Sequence, residues 1–222
     1  LAALRPGFLY SDIVEELYRE QDRYGGWGPL FSKDYSVKAK FPTSATAINR
    51  CLYIGLTLGD REILSMAKQY LEDILTGRGH GSYSGRNERV YPWGRASVCC
   101  LLESISPYNA LCDGTWQEWF YIAGCAFEGG QYSYERERSA QHEVFLTRED
   151  RLIPMQTELL LKRRAEVPPP LEEAMLRRYG EHVYHHGHFW NMAPEALPDS
   201  FVYNKTRRWF YSFNYINQFR ES

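Results

Sequence analysis

Apolar positions recur along this chain with the spacing of one helix face, interrupted by glycine and proline. Residues 12 to 21 place Ile13, Val14, Leu17 and Tyr18 on one side and Glu15, Glu16, Arg19 and Glu20 on the other, which predicts an amphipathic helix ended by Gly25 and Gly26. Pro42 with Thr43 or Ser44 opens a second helix that buries Ala45, Ile48, Cys51, Leu52 and Leu56. After Gly59-Asp60, the set Ile63, Ala67, Tyr70, Leu71 and Ile74 is the clearest helical face in the sequence.

The pattern then repeats. Tyr91-Pro92-Trp93 leads into a helix burying Val98, Leu101, Leu102 and Ile105, and Trp116, Trp119, Phe120, Ala123 and Phe127 supply its partner. Gly130-Gln131-Tyr132 opens a third cycle, read as a long charged loop that reaches Ile153-Pro154-Met155 before a helix with Leu159, Leu160 and Leu161. Pro168 to Pro170 end that helix and lead into residues 171 to 183, with Ala174, Met175 and Tyr179 inward. Gly187-His188-Phe189-Trp190 opens a fourth cycle, whose helix, about residues 205 to 219, carries Trp209, Phe210, Phe213 and Ile216.

The glycine-aromatic openings at Gly26, Gly81, Gly130 and Gly187 are separated by 55, 49 and 57 residues, a degenerate repeat of helical hairpins. A hairpin has two apolar faces that it cannot bury alone, so neighbours must pack together. The expectation is one all-α domain over residues 1 to 222, built from repeated hairpins that form an incomplete α/α toroid; the count of openings suits an open ring or a piece of a longer chain. The Gly25-Gly26-Trp27-Gly28 opening and the hairpin period resemble the α/α barrels of terpenoid cyclases, protein prenyltransferases and several polysaccharide lyases. That resemblance implies a curved array of hairpins bending toward a closed toroid. The Asp-rich motifs of the cyclases and the Asp-Xaa-Cys…His zinc pattern of the prenyltransferases are missing, since Cys112-Asp113 runs in the reverse order.

Composition narrows the choice of chemistry. A net charge of -2 gives no global attraction to nucleic acid or to an anionic membrane, and no apolar run approaches the roughly 18 residues of a membrane span. The five cysteines, mostly on apolar helical faces, are read as reduced, which points to the cytoplasm, with a Cys112–Cys125 pair as the alternative. Aromatic residues make up 15% of the chain, enough for a core with polar handles or a cleft that takes rings.

If the hairpins repeat regularly, the helices that follow the long loops start at one rim. Lys38, Lys40, Arg89, Arg95, Arg148, Arg151, Lys205, Arg207 and Arg208 gather at those openings, beside the positive ends of the helices. Charges also collect in loops merely to be solvated. Trp27, Tyr91, Trp93, Tyr132, His188 and Trp190 occupy the same openings and are the candidate ligand-binding residues. Aromatic faces beside Arg suit an acidic sugar chain, the rings stacking on pyranose faces and the guanidinium pairing with carboxylate. For a uronate, β-elimination needs a neutralised carboxylate and a base; Arg95 or Arg138 serves the first role, and His142, or a Tyr of lowered pKa, the second.

A carbohydrate-active lyase or hydrolase is therefore the leading expectation, with no cofactor. The alternatives are a terpenoid or prenyl type enzyme lacking the usual Asp motifs, or a non-catalytic protein-binding scaffold. His182, His185, His186 and His188 crowd one segment, yet the histidines of a helix end explain them without a metal. The Trp209, Phe213 and Ile216 face invites a second copy of the chain.

Overall fold

A computed structural model describes residues 5–31, 40–78, 93–146 and 156–181. Among them the regular structure is all helical: α1 (Arg5–Leu9), α2 (Asp12–Glu20), α3 (Ser44–Tyr53), α4 (Ile63–Leu75), α5 (Trp93–Ile105), α6 (Asp113–Ala126), α7 (Tyr134–Phe145), α8 (Gln156–Arg163) and α9 (Pro169–Glu181), with single 3-10 turns at Ala110–Cys112, Glu128–Gly130 and Arg164–Glu166. None of these helices is long and apolar enough to cross a membrane. Backbone contacts divide the chain into two compact units, Leu1–Asp113 and Gly114–Ser222.

In the first unit α3, α4 and α5 pack on one another, and α2 lies against α3. The apolar face of α4 goes inside as its pattern dictates: Ile63, Leu64, Ala67, Tyr70, Leu71 and Ile74 are all buried. Fully burying each large side chain stabilises by roughly 1.5 to 3 kcal/mol, so this one stripe outweighs the weak intrinsic preference of a short helix. On α2 only Val14 and Leu17 are buried, while Tyr18 is 48% exposed. Its ring turns outward to stack with Arg61, whose guanidinium carbon lies 4.7 Å from the ring centroid.

The Gly25-Gly26-Trp27-Gly28 segment is the clasp of this unit. A Cβ on Gly25 would fall 2.1 Å from the Met66 carbonyl oxygen of α4, and Gly25 has φ +93, so only glycine fits there. Gln21 Nε2 donates to both Gly25 O and Ile63 O at 2.9 Å, joining the clasp to the start of α4. Ser44 Oγ accepts from Trp27 N at 2.8 Å and donates to Gly28 O at 3.1 Å, fixing it to the start of α3. Thr43 caps α3 by accepting from Thr46 N.

The second unit begins with α6, which buries Thr115, Trp116, Trp119, Ile122, Ala123 and Ala126. The stretch expected as a long charged loop is in fact largely helix α7, capped by Ser133 Oγ, which accepts from Arg136 N. Its buried residues are Glu137, Ala140 and Gln141. Two of the three are polar, so a scan for apolar periodicity finds no helix there. The proline run opens α9, with Pro169 as the first helical residue, where the missing N–H has no helical partner to lose. Leu159 and Leu160 of α8 and Ala174 and Met175 of α9 are buried as expected. The predicted helix over 205 to 219, with Trp209, Phe213 and Ile216, lies outside the described residues, as do the openings at Gly81 and Gly187.

Candidate functional site

Among the described residues, one group of buried polar side chains surrounds α7, in the second unit. Gly129 and Gly130, both at φ +77, reverse the chain after α6, and Ser133 N donates to Ala126 O at 2.8 Å. Arg136 Nη2 then reaches back to Glu128 O at 2.8 Å and Gln131 O at 3.0 Å, so the turn and the first turn of α7 form one piece. That piece presents Tyr132 between Phe127, with ring centroids 5.5 Å apart, and Arg178 of α9, whose guanidinium carbon sits 3.1 Å from the Tyr132 centroid. The same turn packs against α9.

Glu137, fully buried, accepts from Gln141 Nε2 at 3.2 Å, one helical turn on. Its carboxylate lies near enough to Tyr132 and Arg178 to act on both. Burial first, and then the negative charge of Glu137, push the Tyr132 phenol well above its ordinary value. Burial depresses the Arg178 guanidinium, against the opposing pull of Tyr132 and Glu137. The phenol therefore stays protonated at neutral pH. Tyr132 is suited to donate a hydrogen bond; the raised value makes it a poor proton donor, and it is not the lowered-pKa base that a tyrosine would need to be for proton abstraction.

One position further round α7 from Glu137 and Gln141, Arg138 and His142 stand one helical turn apart, both partly exposed. Arg138 Nη1 is 3.8 Å from Glu135 Oε2, a long pair in which Glu135 is 77% exposed. Glu143, next to His142, accepts from Tyr121 Oη of α6 at 2.9 Å. That hydrogen bond heads the causes that push the Tyr121 phenol up to about 12. The chemistry available on this side of α7 is thus a guanidinium, an imidazole and flanking carboxylates.

The remaining candidates are scattered. Arg95 lies on α5 in the first unit and is half-buried. Trp27 is 4% exposed and its Nε1 donates to Leu17 O at 2.8 Å, so the indole holds α2 and offers no face to solvent. Trp93 is the first residue of α5. Tyr91, His188 and Trp190, together with the histidine-rich segment around His182, His185 and His186, lie outside the described residues. Among the described residues no group of three or more His, Cys, Asp or Glu side chains is placed to hold a metal ion. All five cysteines carry free thiols, and burial pushes the Cys51 thiol up to about 12.

Glu137, Gln141 and Arg178 are the site residues that sequence reasoning missed. The pair Glu137 and Gln141 has the i, i+4 spacing that would have suggested a shared face, but in a segment of alternating Glu and Arg that signal is indistinguishable from a solvated helix. No family model, no curated protein and no solved structure matches this chain.

Proposed function

We propose that the second unit binds an acidic carbohydrate on the Arg138–His142 side of α7, within an α/α-toroid-type array of hairpins, and acts on it as a lyase. The observation that carries this reading is the polar buried face of α7. A helix that packs Glu137 and Gln141 inward gives up apolar burial worth roughly 1.5 to 3 kcal/mol per large side chain, and departures of that kind concentrate where function constrains the sequence. The helix itself fixes the spacing of Arg138 and His142, and the inward Glu137 and Gln141 fix which way α7 turns them. The exposed Glu135 pair is weak enough for a ligand carboxylate to replace it on Arg138.

In β-elimination from a uronate, Arg138 neutralises the carboxylate and His142 takes the proton from C5. The C5–H electron pair becomes the C4=C5 double bond, and the glycosidic oxygen leaves C4 with its bonding pair and takes up a proton. Titration calorimetry with oligogalacturonate and with a neutral oligosaccharide tests the binding; ultraviolet absorbance of the unsaturated product tests the reaction. Arg138→Ala is expected to weaken oligogalacturonate binding about tenfold or more, the loss of one charge-assisted hydrogen bond, and His142→Ala to abolish product with binding largely kept. Equal affinity for acidic and neutral chains, with both variants silent, would refute this reading.

The protein-binding scaffold has its own support in the first unit, where Tyr53 is 83% and Tyr10 71% exposed. Exposed tyrosines are common at protein interfaces. A protein ligand whose capture is lost in Tyr10→Ser and Tyr53→Ser, and kept in Arg138→Ala, would favour the scaffold.

A further inference from the structure

Helix α6 turns polar atoms inward. Thr115, Trp116 and Trp119 are 1%, 0% and 3% exposed, and their spacing along the helix puts them on its interior side. Thr115 Oγ1, Trp116 Nε1 and Trp119 Nε1 are each sealed from solvent, and among the described residues none accepts from or donates to them. Trp27 in the first unit shows the ordinary solution, an indole N–H donating to a backbone carbonyl. A buried donor without an acceptor costs more than a made hydrogen bond returns, and buried polar groups in folded proteins almost always have a partner. Three orphaned groups within five residues of one helix are thus not accounted for by side-chain packing alone.

The chemistry of these atoms sets what fits them. An indole N–H only donates and a hydroxyl does either, so the complement is an oxygen acceptor. Trp119 packs on Phe145, with centroids 5.2 Å apart, and Phe145 is the last residue of α7. The carbonyl end of a helix disfavours negative charge beside it. Two indole N–H donors and a hydroxyl carry no formal charge to balance an anion sealed from water, so a neutral oxygen suits them.

We propose that Thr115, Trp116 and Trp119 form a buried site for neutral oxygen acceptors, either water molecules or the hydroxyl oxygens of a small polar molecule. The site is independent of the acidic-ligand reading of α7. The test is a two-dimensional nitrogen–proton spectrum of the full chain, with the indole signals assigned through Trp116→Phe and Trp119→Phe. Water as the acceptor gives cross-peaks between the Trp116 and Trp119 indole protons and the solvent resonance; a sugar hydroxyl gives shifts of the same signals on adding maltotriose as the probe. Indole signals with neither response overturn the proposal. Thr115→Val supplies a second measurement, because it keeps side-chain shape and deletes the hydroxyl. Its thermal midpoint is expected to fall below that of the unaltered chain, and a rise would show that Oγ1 has nothing to hold.

Discussion

Helices α4 and α7 are nearly the same length, 13 and 12 residues, yet they are held by opposite means. The inner face of α4 is apolar from Ile63 to Ile74 and packs on α3 and α5, whereas α7 turns Glu137 and Gln141 inward and fixes its N-terminal end by a serine cap and by Arg136 clasping two carbonyls. Apolar burial is non-directional and tolerant of small shifts. A buried polar set is worth having only if its geometry is kept, because each lost partner leaves a desolvated group behind. Helix α4 is therefore held by burial that tolerates small shifts, and α7 by groups whose placement matters.

Three measurements would break or sharpen that contrast. The largest effect is expected from Leu71→Ala on α4, where the side chain is fully buried: a loss of about 2 to 5 kcal/mol in urea unfolding. A loss below about 1 kcal/mol would mean that the α4 stripe does not dominate its unit. Glu137→Gln on α7 comes next, at about 1 to 3 kcal/mol, since it removes the carboxylate that faces Tyr132 and Arg178 while leaving the volume unchanged. The same variant should alter ligand affinity through the orientation of Arg138 and His142, which Leu71→Ala, at comparable residual folding, should not.

The effect that is smallest near neutral pH is a dependence that grows only in alkali, and here the two units share a sign. The Cys51 thiol has its pKa raised to about 12 in the folded chain by burial. Its contribution is thus fully present below the unfolded value of about 8.5 and is lost as pH climbs toward the folded one, with a slope of at most about 1.4 kcal/mol per pH unit. Tyr132 is also raised, so its contribution declines only above the ordinary phenol value of about 10. Unfolding midpoints followed across that range should fall in two stages, and Cys51→Ala should remove the earlier one. A single decline that begins near pH 10 in both proteins would show that Cys51 is not sealed from water. At the acid end Glu72 behaves in the other direction. Burial works to raise its pKa, but hydrogen bonds from Lys68 and Asn109 prevail and hold the carboxyl below its usual value, so the stability it lends is lost as pH falls through that lowered value.

The same contrast explains what could be read in advance. The helices with apolar faces, α2 to α6 and α8, lay where the spacing put them; on α4 the named face lacked only Leu64, and on α5 Val98, Leu101, Leu102 and Ile105 are buried as named, together with Ala96, Cys99 and Glu103. Helix α7 was not legible, because periodicity detects hydrophobic faces and this face is glutamate and glutamine. Trp27 was legible as an aromatic beside glycine, but nothing in Gly25-Gly26-Trp27-Gly28 tells whether the ring faces a rim or the core. The answer came from the approach of Gly25 to Met66 and the acceptor offered by Leu17, partners 41 and 10 positions away. For the candidate site, Arg138 and His142 were found through their types and spacing, while Arg178 entered only because α9 packs against the turn that carries Tyr132.

The sequence by itself determined the helical class and most helix positions, since these follow from periodicity and backbone sterics among near neighbours. Only the tertiary structure decided which polar groups are buried, that the Tyr132 phenol is held protonated, and that Trp27 belongs to the core. Burial and charge proximity are sums over residues distant in the chain, and local pattern carries no record of them.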